Sequence, residues 1–251
     1  MLRSGLLKGS AMSKVIAVFG AGSGLGRAVA CRFGREGYRV ALVARRADRL
    51  DALVRELEVE GIESAPFPAD LADPAVVPGL IGSIRAHFGR IDVAEYSPIS
   101  LDQSFIRAVD LRASDLQTLT PLLLLTPVEI VHALLPEWQE RGEGAFLLAQ
   151  GFSAAQPMPN LSGLGTVMAS TRNYVHGLYA ELADSGVYAG MLTIASLIDG
   201  SEVSAAAAAA FEEHGAPEFP VASPEDLADI YWQMVSDRNR AERFHPENPA
   251  G

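Results

Sequence analysis

The strongest constraint on this chain is the turn after its first apolar run. "VIAVF" (15–19), short and rich in β-branched residues, runs straight into "GAGSGLG" (20–26), which holds four glycines in seven positions. "LGRAVACRFGREG" then carries apolar residues at helical spacing until Gly37 stops it. A buried strand that ends in bare backbone and resumes at once as a helix is the first half of a βαβ unit, and few folds begin that way.

The alternation continues along the chain. "YRVALVA" (38–44) reads as a second strand, "ADRLDALVRELEVEG" as an amphipathic helix and "IESAPFPAD" as a third strand. A helix follows in "DPAVVPGLIGSIRAHFG", with Asp73 as N-cap and Pro74 at its first position. "IDVAEYS" is a fourth strand, 113–141 a long helical stretch and "GAFLLAQ" a fifth strand. After it come the helix "SGLGTVMASTRNYVHGLYAELADSG" and the sixth strand "VYAGMLTIA". Two helices close the chain, one in the alanine run 205–210 and one in "SPEDLADIYWQMVSD"; the ending "RAERFHPENPAG" shows no obvious seventh strand. The strands are continuously apolar, as strands covered on both faces must be. The prediction is an α/β fold: a single-domain, doubly wound, Rossmann-like parallel sheet over residues 13–251, behind a flexible extension, 1–12.

Composition narrows the partners. A net charge of −11 argues against nucleic acid and anionic membrane surfaces, so any anionic ligand needs a local binding feature. The lone Cys31 cannot form an internal disulfide, which suits a reducing cytoplasm. "LTPLLLLTPVEIVHALLP" is interrupted by prolines, Glu129 and His132, and reads as too broken to span a membrane. No His, Cys, Asp or Glu spacing suggests a metal site.

In a doubly wound sheet the first strand-to-helix turn is where phosphate binds, because glycine admits the ligand to the backbone and the helix start offers free N–H groups. The stretch matches neither GxGxxG nor Walker A, but fits GxxxGxG through Gly20, Gly24 and Gly26. The alternative is a tight turn with close helix–strand packing. The second strand ends "VARRADRL". An acid there would bind a ribose 2′-hydroxyl; instead Arg45 and Arg46 stand ready for a 2′-phosphate, with Arg45 the better placed, which points to NADP(H).

Through "FGAGSGLGRAVA", "VALVARRADRLDAL", "PADLAD" and the order of its elements, the chain resembles the short-chain dehydrogenase/reductase family over residues 14 to 236. The resemblance implies a cofactor-binding set of Gly20, Ser23, Gly24, Leu25, Gly26, Arg45, Arg46, Asp70 and Leu71, with Asp70 at the adenine amino group. It also implies a small-molecule substrate, a substrate lid over about 197–222, and a homodimer or homotetramer built on helices 113–141 and 162–184.

The family's chemistry uses an Asn–Ser–Tyr–Lys tetrad, in which tyrosine exchanges a proton at the substrate oxygen and lysine tunes it. Ser153 sits where the serine would. Thirteen residues on stands Thr166 in place of tyrosine, and four further Ser170 in place of lysine; Leu123 takes the asparagine position. Tyr96, at the end of the fourth strand, and Tyr174, one turn beyond Ser170, are the candidate substitutes, while Tyr179, His87, His132 and His176 read as packing or surface residues. Three readings follow: an NADP(H)-dependent oxidoreductase with a non-standard active site, a silent NADP(H)-binding protein or partner subunit, and a non-redox enzyme for cyclisation, elimination or isomerisation on the same scaffold.

Overall fold

The computed structural model describes residues 13–99, 105–214 and 219–247, so the extension at 1–12 and part of the expected lid lie outside the described residues. Seven parallel strands form one sheet in the order β3-β2-β1-β4-β5-β6-β9, where β1 is Val15–Phe19, β2 Arg39–Ala44, β3 Ser64–Pro68, β4 Val93–Tyr96, β5 Gly144–Gly151, β6 Val187–Ile194 and β9 Glu242–His245. Helices α1 (Leu25–Arg35), α2 (Ala47–Val59) and α8 (Pro224–Asp237) cover one face. Helices α3 (Val77–Phe88), α5 (Thr126–Arg141) and α6 (Ser162–Glu181) cover the other. The short pair β7 (Leu197–Ile198) and β8 (Val221–Ala222) flanks α7 (Glu202–His214).

Each strand supplies both layers. Along β1, Val15, Ala17 and Phe19 enter the α3/α5/α6 layer while Ile16 and Val18 enter the α1/α2/α8 layer, which is why the strand has no polar position to spare. Trp138 of α5 is buried and donates its indole N–H to Ile91 O at 2.9 Å. Its ring lies on Gly144, where a Cβ would fall 2.2 Å from Cγ, so only glycine can open β5 there. Contrary to the reading of "LTPLLLLTPVEIVHALLP" as too broken, the helical stretch 113–141 has the length and composition of a membrane span, and it buries Ile130, Val131, Leu134 and Trp138 in the core.

That stretch is not a uniform helix. Between α4 (Ala113–Thr120) and α5 the residues Pro121–Leu125 form a π-turn. The N–H of Thr126 reaches back to Pro121 O, which frees the carbonyl of Leu122. Pro127 has no N–H, which frees the carbonyl of Leu123. Two hydroxyls fill these vacancies: Tyr96 donates to Leu122 O, and Thr171 of α6 to Leu123 O at 2.6 Å.

The C-terminal strand corrects the sequence reading. "ERFH" pairs in parallel with β6, matching Met191 to Glu242 and Ile194 to His245. Its anchor is Glu242, which accepts from Arg172 (2.6 Å), Thr193 (2.6 Å) and His176 (3.2 Å). A strand held by a carboxylate on an edge shows no apolar pattern, so periodicity could not reveal it.

Candidate active site

Strand order reverses between β1 and β4, and a cavity of about 960 Å³ opens at the carboxyl ends of the strands there, where doubly wound sheets place their ligands. It runs from the glycine-rich turn to α4, α6 and the segment before β8, and Gly20, Ser23, Gly24, Leu25, Gly26, Arg45, Arg46, Asp70 and Leu71 all lie on its wall.

The four glycines divide into two kinds. Gly20 has φ +102°, and a Cβ on it would lie 2.8 Å from Pro98 N; one on Gly26 would lie 2.6 Å from Gly20 O. Those two close the turn on itself and on the end of β4. A Cβ on Gly22 would meet nothing nearer than 3.8 Å, so packing leaves Gly22 unexplained. Helix α1 starts at Leu25 with no side-chain cap and no acid in its first turn. The amides of Ser23, Gly24, Leu25 and Gly26 find no backbone acceptor among the described residues, which leaves a helix N-terminus open to an anion.

Three arginines follow β2, Arg45 and Arg46 ahead of α2 and Arg49 in its first turn. Arg46 and Arg49 pair with Glu202 of α7 at 2.9 and 3.1 Å, whereas Arg45 has no carboxylate partner among the described residues. Asp70 keeps one oxygen on the amide of Ala72 (3.1 Å) and is exposed to the cavity. Ser201 covers the loop from the other side, its Cβ 3.0 Å from where a Cβ on Gly24 would be, and Ser23 donates to Gly200 O.

Ser153 follows β5 in a short 3-10 turn, and its hydroxyl has no partner among the described residues. Helix α6 comes so close that a Cβ on Gly165 would lie 2.9 Å from Ser153 O. Around it, Gln150 Oε1 and Ser196 Oγ are buried without partners among the described residues at the ends of β5 and β6, and Ser97 Oγ, beside the Glu95 carboxyl, is buried at the end of β4, all three residues on the cavity wall. Unpartnered polar atoms in such a place call for a ligand that both donates and accepts. Sequence reading missed these three, because no spacing rule marks a lone polar residue at a strand end.

The face that α6 turns to the cavity also corrects the alignment. Thr166 and Ser170 lie on the exposed side, each hydroxyl bonded back to its own helix at Ser162 O and Thr166 O. The cavity face, two residues out of phase and so about 200° round the helix, carries Leu164, Met168 and Thr171. The stripe Leu164, Val167, Met168, Thr171, Val175, Leu178 was legible as the buried side. Leu123, in contrast, does face the cavity. The chain has two lysines only, Lys8 and Lys14, both before or at the start of β1.

Neither substitute tyrosine is free for chemistry. Tyr96 touches the cavity but is buried, its hydroxyl is committed to Leu122 O, and burial drives its pKa far above the ordinary range. Tyr174 is not on the cavity; it packs on the core, and burial with nearby Glu129 and Glu181 pushes its pKa up to about 12. Glu95, the β4 neighbour of Tyr96, faces the opposite layer, fully buried and without a cation beside it among the described residues, and burial, opposed only in part by the Ser97 hydroxyl, raises its pKa to about 8.

The family model of short chain dehydrogenases matches residues 14–205, and the chain belongs to that family of oxidoreductases. A short chain dehydrogenase of Pseudocercospora fijiensis is 28% identical over 187 residues, 72% of this chain, which spans only 58% of that relative's length. Sulfoacetaldehyde reductase of Chromohalobacter salexigens is 30% identical over 178 residues, 70% of this chain and 69% of that one. Among solved structures, L-sorbose reductase of Gluconobacter frateurii, complexed with NADPH and L-sorbose, superposes with a TM-score of 0.76 at 26% identity, covering 90% of each chain.

Proposed function

We propose that the protein is an NADP(H)-dependent oxidoreductase whose active site works without a tyrosine–lysine pair. The observation that carries this reading is Arg45: a guanidinium without a carboxylate partner among the described residues, on the wall of the cavity, at the end of a strand that offers no acid to a ribose. Arg45 and Arg46 would hold the 2′-phosphate, the amides of Ser23 to Gly26 the pyrophosphate, and Asp70 and Leu71 the adenine side. The orphaned Gln150 and Ser196 suit a carboxamide, which both donates and accepts. The cofactor supplies or takes the hydride.

What the chain's own groups contribute is narrower than in the family at large. The Ser153 hydroxyl can donate to a substrate oxygen and orient it; Leu164, Met168 and Leu123 exclude water and offer no proton. The wall therefore suits an acceptor whose reduction needs little acid help, or one that takes its proton from water. The silent-binder reading draws on the same apolar wall, and it separates from the first only by hydride transfer to a carbonyl panel.

Titration of the purified protein with NADPH and then NADH, followed by nicotinamide fluorescence, tests the reading. Tight NADPH binding with weak NADH binding is expected. No binding of either would overturn it and leave the glycines as a turn.

A further inference from the structure

Charge on the cavity wall is distributed unevenly. Among the described residues, every charged side chain there belongs to α1, to the β2–α2 segment, to the turn after β3, or is Glu202 at the start of α7. The other end, between the π-turn, the 152–154 turn and α6, carries none among the described residues. Its wall is made by Leu123, Phe152, Met158, Leu161, Leu164 and Met168. Three further hydroxyls on this side, those of Thr118, Thr171 and Tyr96, are donated to the backbone carbonyls of Ser114, Leu123 and Leu122, so among the described residues of that end it is Ser153 that keeps a hydroxyl for a ligand.

From this asymmetry we infer that the site takes a neutral, largely apolar substrate, an aliphatic chain or aromatic ring with one oxygen function placed at Ser153. The inference rests on the cavity being the substrate site of the proposed oxidoreductase. A wall of thioethers, leucines and a phenyl ring rewards apolar surface removed from water and charges a penalty for each polar group it cannot pair. A sulfonate would find no cation among the described residues there, and a polyol would leave most of its hydroxyls unpaired by them. The substrates for which the two reductase relatives are named, an anionic aldehyde and a sugar, are thus the types this wall disfavours.

The test is calorimetric titration of the NADPH-loaded protein with 1-butanol, 1-hexanol and 1-octanol, alongside sulfoacetaldehyde and L-sorbose. Affinity should rise about fourfold per added methylene, and neither polar compound should match 1-octanol. Met168→Gln and Leu164→Asn should flatten the series, while Met168→Leu should retain it; an NADPH titration of each variant reports whether it folds. A series that does not depend on chain length, or tighter binding of either polar compound, overturns the inference. Repeating the alkanols without NADPH separates the two claims: a steep series on a protein that binds no NADPH would remove the oxidoreductase reading and leave the apolar site standing.

Discussion

The Thr171 hydroxyl lies 2.6 Å from the Leu123 carbonyl, the one helical acceptor that Pro127 leaves without a donor. Tyr96 does the same for Leu122 one residue earlier, so the π-turn consumes two of the hydroxyls that border the inner cavity. The apolar character of that end is therefore a consequence of backbone accounting in α4–α5 as much as of side-chain choice. Thr171→Val should destabilise the protein by about 1–3 kcal/mol, the cost of a buried carbonyl left unpaired, with Thr171→Ser retaining most of it. Urea unfolding measures both, and a valine variant as stable as the parent would show that another donor reaches Leu123.

Glu95 should make stability fall as pH rises. Its folded pKa is raised by burial from the ordinary 4.5 to about 8, so the folded state holds a proton that the unfolded chain gives up. The stability is fully present below about pH 4.5 and is lost progressively as pH rises through about 8, at about 1.4 kcal/mol per unit between them. Glu95→Gln removes the titration. The variant should match the parent near pH 5 and exceed it at pH 8; parallel curves at both would exclude Glu95 as the titrating group.

The opposite sign is expected at Glu242. Burial pushes its pKa up, but hydrogen bonds from Arg172 and Thr193 outweigh that and hold it below the ordinary carboxylate value. Its contribution is present above the ordinary value and lost as pH falls through the depressed one. Arg172 is 32% exposed, so water can partly replace the lost partner, and Glu242→Gln should cost about 1–3 kcal/mol, less than for a fully buried pair. Hydrogen exchange of β9 is the local readout, and protection should fall there before it falls in β5.

For the cofactor, Arg45→Ala should weaken NADPH binding by about 1.5–3 kcal/mol and leave NADH almost unchanged, as expected when charge-assisted hydrogen bonds to a 2′-phosphate are lost. Equal losses for both cofactors would remove the 2′-phosphate from Arg45.

The glycine turn separates packing from binding. Gly26→Ala puts a Cβ 2.6 Å from Gly20 O and should destabilise the fold by about 1–3 kcal/mol. Gly22→Ala meets nothing closer than 3.8 Å, so the fold should tolerate it and any loss should appear in NADPH affinity alone. Matching thermal losses in the two variants would make Gly22 a packing residue too.

The alternation of apolar strands and amphipathic helices, the glycine turn at the end of β1 and the arginines at the end of β2 were all set by local sequence, because periodicity and backbone freedom act within a few residues. Ser153 and Leu123 were singled out by the family resemblance and not by local periodicity, and both line the cavity. Counting failed on α6, where an offset of two residues exchanged Thr166 and Ser170 for Leu164 and Met168. The rotational phase of a helix is fixed by what packs against it, here the 152–154 turn at Gly165. Likewise β9, the partner of Tyr96 and the full burial of Glu95 depend on groups tens of residues apart in the chain. Sequence decided the order of the elements and where the glycine turn lies; only the tertiary structure decided which polar groups remain free to act, because each hydroxyl and carboxylate is satisfied or stranded by neighbours that the local chain does not contain.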